Sequence, residues 1–204
     1  MSFAQGVISP KLVDRVRAIL MRPREEWLVI DKEQTDIATL YRTYVIPLAA
    51  IGPIATAIGG ALIGTNLPLV GAVRVPITNA IVGGIVAFAL ALLGAYVVAQ
   101  VIDNLAPRYS GTRNLTQAFK VAAYSSTAQW VVGIFGLIPA LSPLSILGLY
   151  SLYLLYLGLP PLMKVPQEKA TSYTVAVVVV ALIVFIVIGA VTGIVIGTAA
   201  YVTL

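Results

Sequence analysis

Apolar residues fall into five long stretches along this chain, at about 44–63, 77–102, 119–138, 144–162 and 173–201, with short polar breaks between them. An α-helix needs ~20 such residues to cross the hydrocarbon core of a bilayer. The pattern therefore predicts an all-α integral membrane protein. Residues 44–204 form a five-helix transmembrane bundle. Residues 1–43 form an N-terminal cytoplasmic amphipathic helical arm.

Within the arm, Leu12, Val13, Val16, Ile19 and Leu20 recur at helical spacing, while Lys11, Asp14, Arg15 and Arg17 take the other side. This is a short amphipathic helix, too polar to span. Pro23 suits the first turn of a second helix, with Trp27 and Ile30 on one face. Trp favours the headgroup level, so Val16, Ile19, Leu20 and Trp27 are the candidate membrane-surface residues. The competing reading packs both helices on the loops. Glu25 and Glu26 read as helix-start acids.

Pro47, Gly52-Pro53 and Gly59-Gly60 predict a bent or broken first span, since proline removes an amide donor and clashes with the preceding turn. Pro139 and Pro143 bracket a tight turn that makes the third and fourth spans an antiparallel hairpin. Gly189, Gly193 and Gly197 form two overlapping GxxxG steps, the candidate helix-packing interface. They pack either within the bundle or against a second copy or partner.

Charge sets the orientation. The arm holds seven Lys and Arg, the second connection three and the fourth two, leaving Arg74 alone in the first. Twelve of the 13 basic residues thus share one side. By the positive-inside rule the N-terminus is cytoplasmic and the C-terminus outside. Met1 to Ser9 lacks a basic region followed by an apolar core, so no cleavable signal is expected. The net charge of +5 belongs to this bias and to contact with the lipid bilayer, and does not predict nucleic-acid binding.

The inventory narrows the chemistry. Hydrophobic residues are 59% of the chain and charged ones 10%, and there is no Cys and no His. Thiol nucleophiles, disulfides and His-based triads or metal sites are excluded by composition. No enzyme, cofactor or metal site is expected. Gln100, Asp103, Arg108, Lys120, Tyr124 and Gln129 form the candidate polar cluster around the second connection. One reading is a structural clamp, Asp103 with Lys120 or Arg108. The other is a water-accessible vestibule for an ion or a headgroup. Tyr150, Tyr153 and Tyr156 trace a stripe whose hydroxyls need partners, which Ser125, Thr127 or Gln129 could supply.

With the spans placed, several segments resemble the YIP family, the Ypt/Rab-interacting-protein family, in its short bacterial type. They are Arg22-Pro23-Arg24-Glu25-Glu26-Trp27, Leu40-Tyr41 through Tyr44-Val45-Ile46-Pro47-Leu48, Leu105-Ala106-Pro107 with Gly111, and Gln117 through Thr127. Gly148 through Pro160 and then Met163-Lys164-Val165-Pro166 complete the set. The family commonly has a proline a few residues after the third-span tyrosine. Ala128-Gln129 stand there instead, so the kink implied by the resemblance is not expected in this chain. The resemblance implies five helices, a cytoplasmic N-terminus, a bacterial plasma membrane location and no catalytic activity. Two functions follow as expectations. One is a non-catalytic membrane scaffold or accessory subunit, working as a homo-oligomer or in a larger membrane complex. The other is a small transporter or channel with a cytoplasmic polar vestibule.

Overall fold

A computed structural model describes residues 12–67 and 71–202 of the chain. Two short helices come first, α1 (Leu12–Met21) and α2 (Pro23–Lys32). Pro23 sits in the first turn of α2, where its missing amide is not needed. Asp36 then caps the next helix, α3 (Ile37–Ile63), by accepting from the Thr39 amide at 2.8 Å and the Thr39 hydroxyl at 2.7 Å. Those bonds hold the Asp36 carboxyl below its ordinary pKa. The helix α3 is irregular where the sequence marks it. A π turn over Tyr41–Val45 ends two residues before Pro47, and a second covers Gly59–Ile63.

A small antiparallel hairpin follows, β1 (Thr65–Leu67) against β2 (Gly71–Val73), with Asn66 opposite Ala72. The long helix α4 (Ile77–Leu105) has 29 residues and runs on into a 3-10 turn, Ala106–Tyr109. Next come α5 (Leu115–Ser125), α6 (Thr127–Val132), two 3-10 segments at Gly133–Leu137 and Pro139–Leu149, and α7 (Tyr150–Met163). The last helix, α8 (Gln167–Val202), has 36 residues. Among the described residues three helices are long and apolar enough to cross a membrane, Ile37–Ile63, Ile77–Tyr109 and Pro139–Met163. This is a helical, multi-pass membrane protein in contact with lipid.

The stretch expected as one span at 119–138 is not one helix. It breaks at Ser126 without a proline. The hydroxyls of Ser125 and Ser126 both donate to the Ala122 carbonyl, at 3.3 and 2.8 Å, and Thr127 donates to the Tyr124 carbonyl at 2.7 Å. Hydroxyls that bond back into the preceding turn bend a helix. Three in a row do here what the absent proline was expected to do. The following turn differs too. The chain reverses at Ile138, in an extended conformation, and α-helix resumes only at Tyr150. The antiparallel approach of the two arms of this turn is seen where the Gln129 amide donates to Ser151 Oγ at 3.1 Å.

The buried core lies at the arm end of the bundle. Every residue from Ala118 to Ser125 is buried, enclosed by α2, α3, α4 and α7. In the other half, close backbone approach replaces a core. A methyl group added at Gly133 would lie 2.7 Å from Gly52 Cα, and one added at Gly59 would lie 2.3 Å from the Gly136 carbonyl oxygen. Small residues are how membrane helices without a hydrophobic drive between them come close. Gly83, by contrast, has nothing within 4 Å of where its Cβ would be. Gly133→Leu should therefore lower stability by about 2–3 kcal/mol through overpacking. Gly83→Leu should leave the melting temperature in detergent nearly unchanged. Equal melting of the two variants would mean that the glycine crossing is not a tight contact.

Candidate functional site

The charged and aromatic residues of the arm end converge on α2. Arg15, read in the sequence as part of a polar face, is only 3% exposed. It lies one turn before the buried Ile19, and its two terminal nitrogens donate to Glu26 and Glu33. Burial lowers its hold on the proton, but Tyr124, Glu33 and Glu26 outweigh that and raise its pKa above the ordinary value. Its guanidinium also lies 5.6 Å from the Tyr124 ring centre. Glu26 is thus an ion-pair partner as well as a helix-start acid. The pairing of Arg15 with Glu26 and Glu33 links α1 to both ends of α2.

Trp27 is buried, not at a surface level. A methyl group added at Gly158 of α7 would come within 2.7 Å of Trp27 Cζ2. The indole meets the Tyr124 ring edge-on at 6.3 Å, and Tyr124 meets Tyr44 at 4.5 Å. Of the four candidate surface residues, Ile19 and Trp27 are buried and Val16 and Leu20 pack partly against the core. The outward apolar residues of the arm are Val13, Met21, Leu28 and Val29.

The carbonyl end of α2 is held by three side chains from the bundle. Lys120, 2% exposed, donates to the Ile30 carbonyl at 3.0 Å and the Glu33 carbonyl at 2.5 Å. Gln117 donates to the Asp31 carbonyl at 3.2 Å. Lys164, in a left-handed conformation just past α7, donates to the Asp31 carboxylate at 2.7 Å. Helix C-termini favour donors and cations of this kind.

The polar cluster expected around the second connection is therefore split. Lys120 does not pair with Asp103. Asp103 accepts instead from Arg113, Nε at 3.0 Å and one terminal nitrogen at 2.8 Å, and the same nitrogen reaches Asn104 at 2.9 Å. Arg108 is exposed and makes no ion pair among the described residues. Gln100 donates to the Tyr96 hydroxyl at 2.9 Å. Tyr124 faces the arm, and the exposed Gln129 lies beside Ser151. The reason for the split is geometric: α5 turns Lys120 and Tyr124 towards α2, whereas Asp103 ends α4 next to the loop that carries Arg113. Tyr150 bonds the Leu20 carbonyl of α1 at 3.1 Å, and Tyr44 pairs with Thr127 at 2.6 Å, so the tyrosine stripe does not take the hydroxyl partners expected. Glu33 had escaped the sequence reading, and Arg15, Arg113 and Gly158 had been given no partner there. The one signal for the Arg15 pairing is the spacing of Glu26, in the first turns of α2, and Glu33, just past its end. The surroundings of Gly189, Gly193 and Gly197 lie outside the described residues.

The segments joined here are the ones that carried the resemblance. Trp27 meets Gly158, Lys120 meets α2, and a methyl group at Gly111 would lie 2.6 Å from Val165 Cγ2. A family model described as the Yip1 domain matches residues 17–189. No curated protein matches the chain, and no solved structure matches it.

If the grip on α2 holds the arm, Lys120→Met should destabilise the protein by about 2 kcal/mol, because two carbonyls lose a charged donor. Hydrogen exchange in residues 23–33 should speed up while that in α4 stays as it was. Unchanged exchange in α2 would show that Lys120 is not what anchors it. Gly158→Leu should expel the indole and open Arg17 and Arg24 to trypsin. Cleavage no faster than in the native chain would rule out the Trp27–Gly158 contact as an anchor.

Proposed function

The chain belongs to the Yip1 family of membrane proteins, and on that footing we propose that it is a non-catalytic scaffold or accessory subunit of the bacterial plasma membrane. It crosses the membrane five times, with the arm in the cytoplasm and the C-terminus outside. It associates with lipid and with other membrane proteins or further copies of itself, through the arm and the glycine face of the last helix.

One observation carries this reading. The charged side chains at the arm end serve to hold the arm: Arg15, Lys120 and Lys164 are each engaged by carboxylates or carbonyls of α2 or of Glu33 just past it. A site so occupied positions a surface rather than turning over a substrate. That surface carries the exposed Val13, Met21, Leu28 and Val29. The transporter or channel reading needs one polar vestibule holding both Asp103 and Lys120. These residues face different neighbours, Arg113 and α2 respectively, so they do not form one shared cluster.

Two measurements test the proposal. The particle extracted from native membranes in mild detergent should contain a second copy or a stoichiometric foreign protein, and Gly193→Leu should disperse it. A monodisperse single chain, unaffected by that change, would count against the scaffold reading. Because the chain has no cysteine, single cysteines report orientation cleanly. Ser142→Cys should react with an impermeant maleimide on intact cells, and Thr112→Cys only after permeabilisation. The reverse labelling would invert the topology.

A further inference from the structure

A cavity of about 960 Å³ lies between the arm, the start of α3 and Tyr124 of α5. Its wall has two kinds of chemistry. Leu28 and Val29 supply an apolar side and are otherwise exposed, at 58% and 50%. Arg15, Lys32 and Glu33 supply a charged side. The terminal nitrogens of Arg15 are taken by Glu26 and Glu33. Lys32 makes no ion pair among the described residues. Tyr124 also lines the cavity and is 5% exposed. Its carbonyl accepts from Thr127, but its hydroxyl has no hydrogen-bond partner among the described residues. A hydroxyl that lines an open cavity and makes no bond to the protein around it is free to bond a ligand atom.

We propose that this cavity binds the phosphate-bearing headgroup of an anionic membrane phospholipid. The phosphate meets Lys32 and the Tyr124 hydroxyl, and the upper acyl chain lies along Leu28 and Val29. The volume falls within the range of ligand sites, and the combination of a cation, a free donor and an apolar wall fits an amphiphile better than a small polar solute. A free phosphate would satisfy Lys32 and Tyr124 but leave Leu28 and Val29 in water. Anionic lipid is also drawn to basic segments at the membrane surface. The inference rests on the reading that the arm lies at the cytoplasmic face. In that position the cavity lies where α3 enters the bilayer, and a lipid in it would fix the arm to the membrane through the ligand rather than through Trp27.

The test is native mass spectrometry of the full chain in mild detergent, with phosphatidylglycerol, phosphatidylcholine or inorganic phosphate added. Phosphatidylglycerol should stay bound in preference to phosphatidylcholine. Tyr124→Phe and Lys32→Gln should each weaken that retention about tenfold, the loss expected for one hydrogen bond to a charged group. Lys32→Arg should restore it. Lys32 is exposed, so its variants test the site even if Tyr124→Phe melts early. Equal retention of both lipids, insensitive to the variants, would mean general surface lipid and overturn the proposal. Displacement of phosphatidylglycerol by inorganic phosphate at equal concentration would make this a phosphate site and overturn the lipid assignment. The same spectra report protein stoichiometry. A particle without protein partners that still selects phosphatidylglycerol sinks the scaffold reading alone, and a partnered particle without selectivity sinks this one alone.

Discussion

Lys120 reaches out of a largely buried helix to the last carbonyls of α2, and the arm end of the protein is organised around that contact. An ammonium group taken out of water costs several kcal/mol unless hydrogen bonds and opposite charge compensate. Here the Ile30 and Glu33 carbonyls supply the bonds, and the negative end of the α2 dipole supplies the field. The cost is recovered only while α2 is docked. That couples the arm to α5, and α5 in turn packs against α3, α4 and α7. Arg15 repeats the device on the other side of the arm, with carboxylates in place of carbonyls.

Glycine does the complementary work. At the arm end Gly158 makes room for an indole, joining a soluble-type helix to a membrane helix by burial. Further along, Gly52, Gly59, Gly133 and Gly136 let two irregular segments approach backbone to backbone. The first kind of contact draws on the hydrophobic effect, since Trp27 leaves water. The second cannot, because lipid is as apolar as the interior, and relies on packing alone. The bundle is thus held by different physics at its two halves, and the division follows the distribution of buried side chains.

The position of the family match and the position of these contacts coincide. The matched residues 17–189 include Trp27, Lys120, Gly158 and the loop glycine Gly111. What these residues do in this chain is fasten segments to one another. That supports the proposed role in presenting a surface.

Much of this was legible in order and composition. Five apolar stretches, a charged arm, prolines at the irregular turns and the absence of Cys and His all follow from residue type and spacing, which are local properties. So does the amphipathic pattern of α1, because helical periodicity is read within a dozen residues. Partners are another matter. Lys120 and Ile30 are 90 positions apart, Tyr150 and Leu20 130 apart, and Asp103 chose Arg113 over the nearer-seeming Lys120. The break at Ser126 also came from side-chain hydroxyls finding carbonyls, where proline statistics gave no warning. The class of the protein, its family and the approximate limits of its apolar stretches follow from residue order alone, since each depends on runs of residue types. Only the tertiary structure decided which face of the arm is buried and which charge meets which, because those depend on how distant helices pack and on which unmet backbone groups that packing leaves within reach.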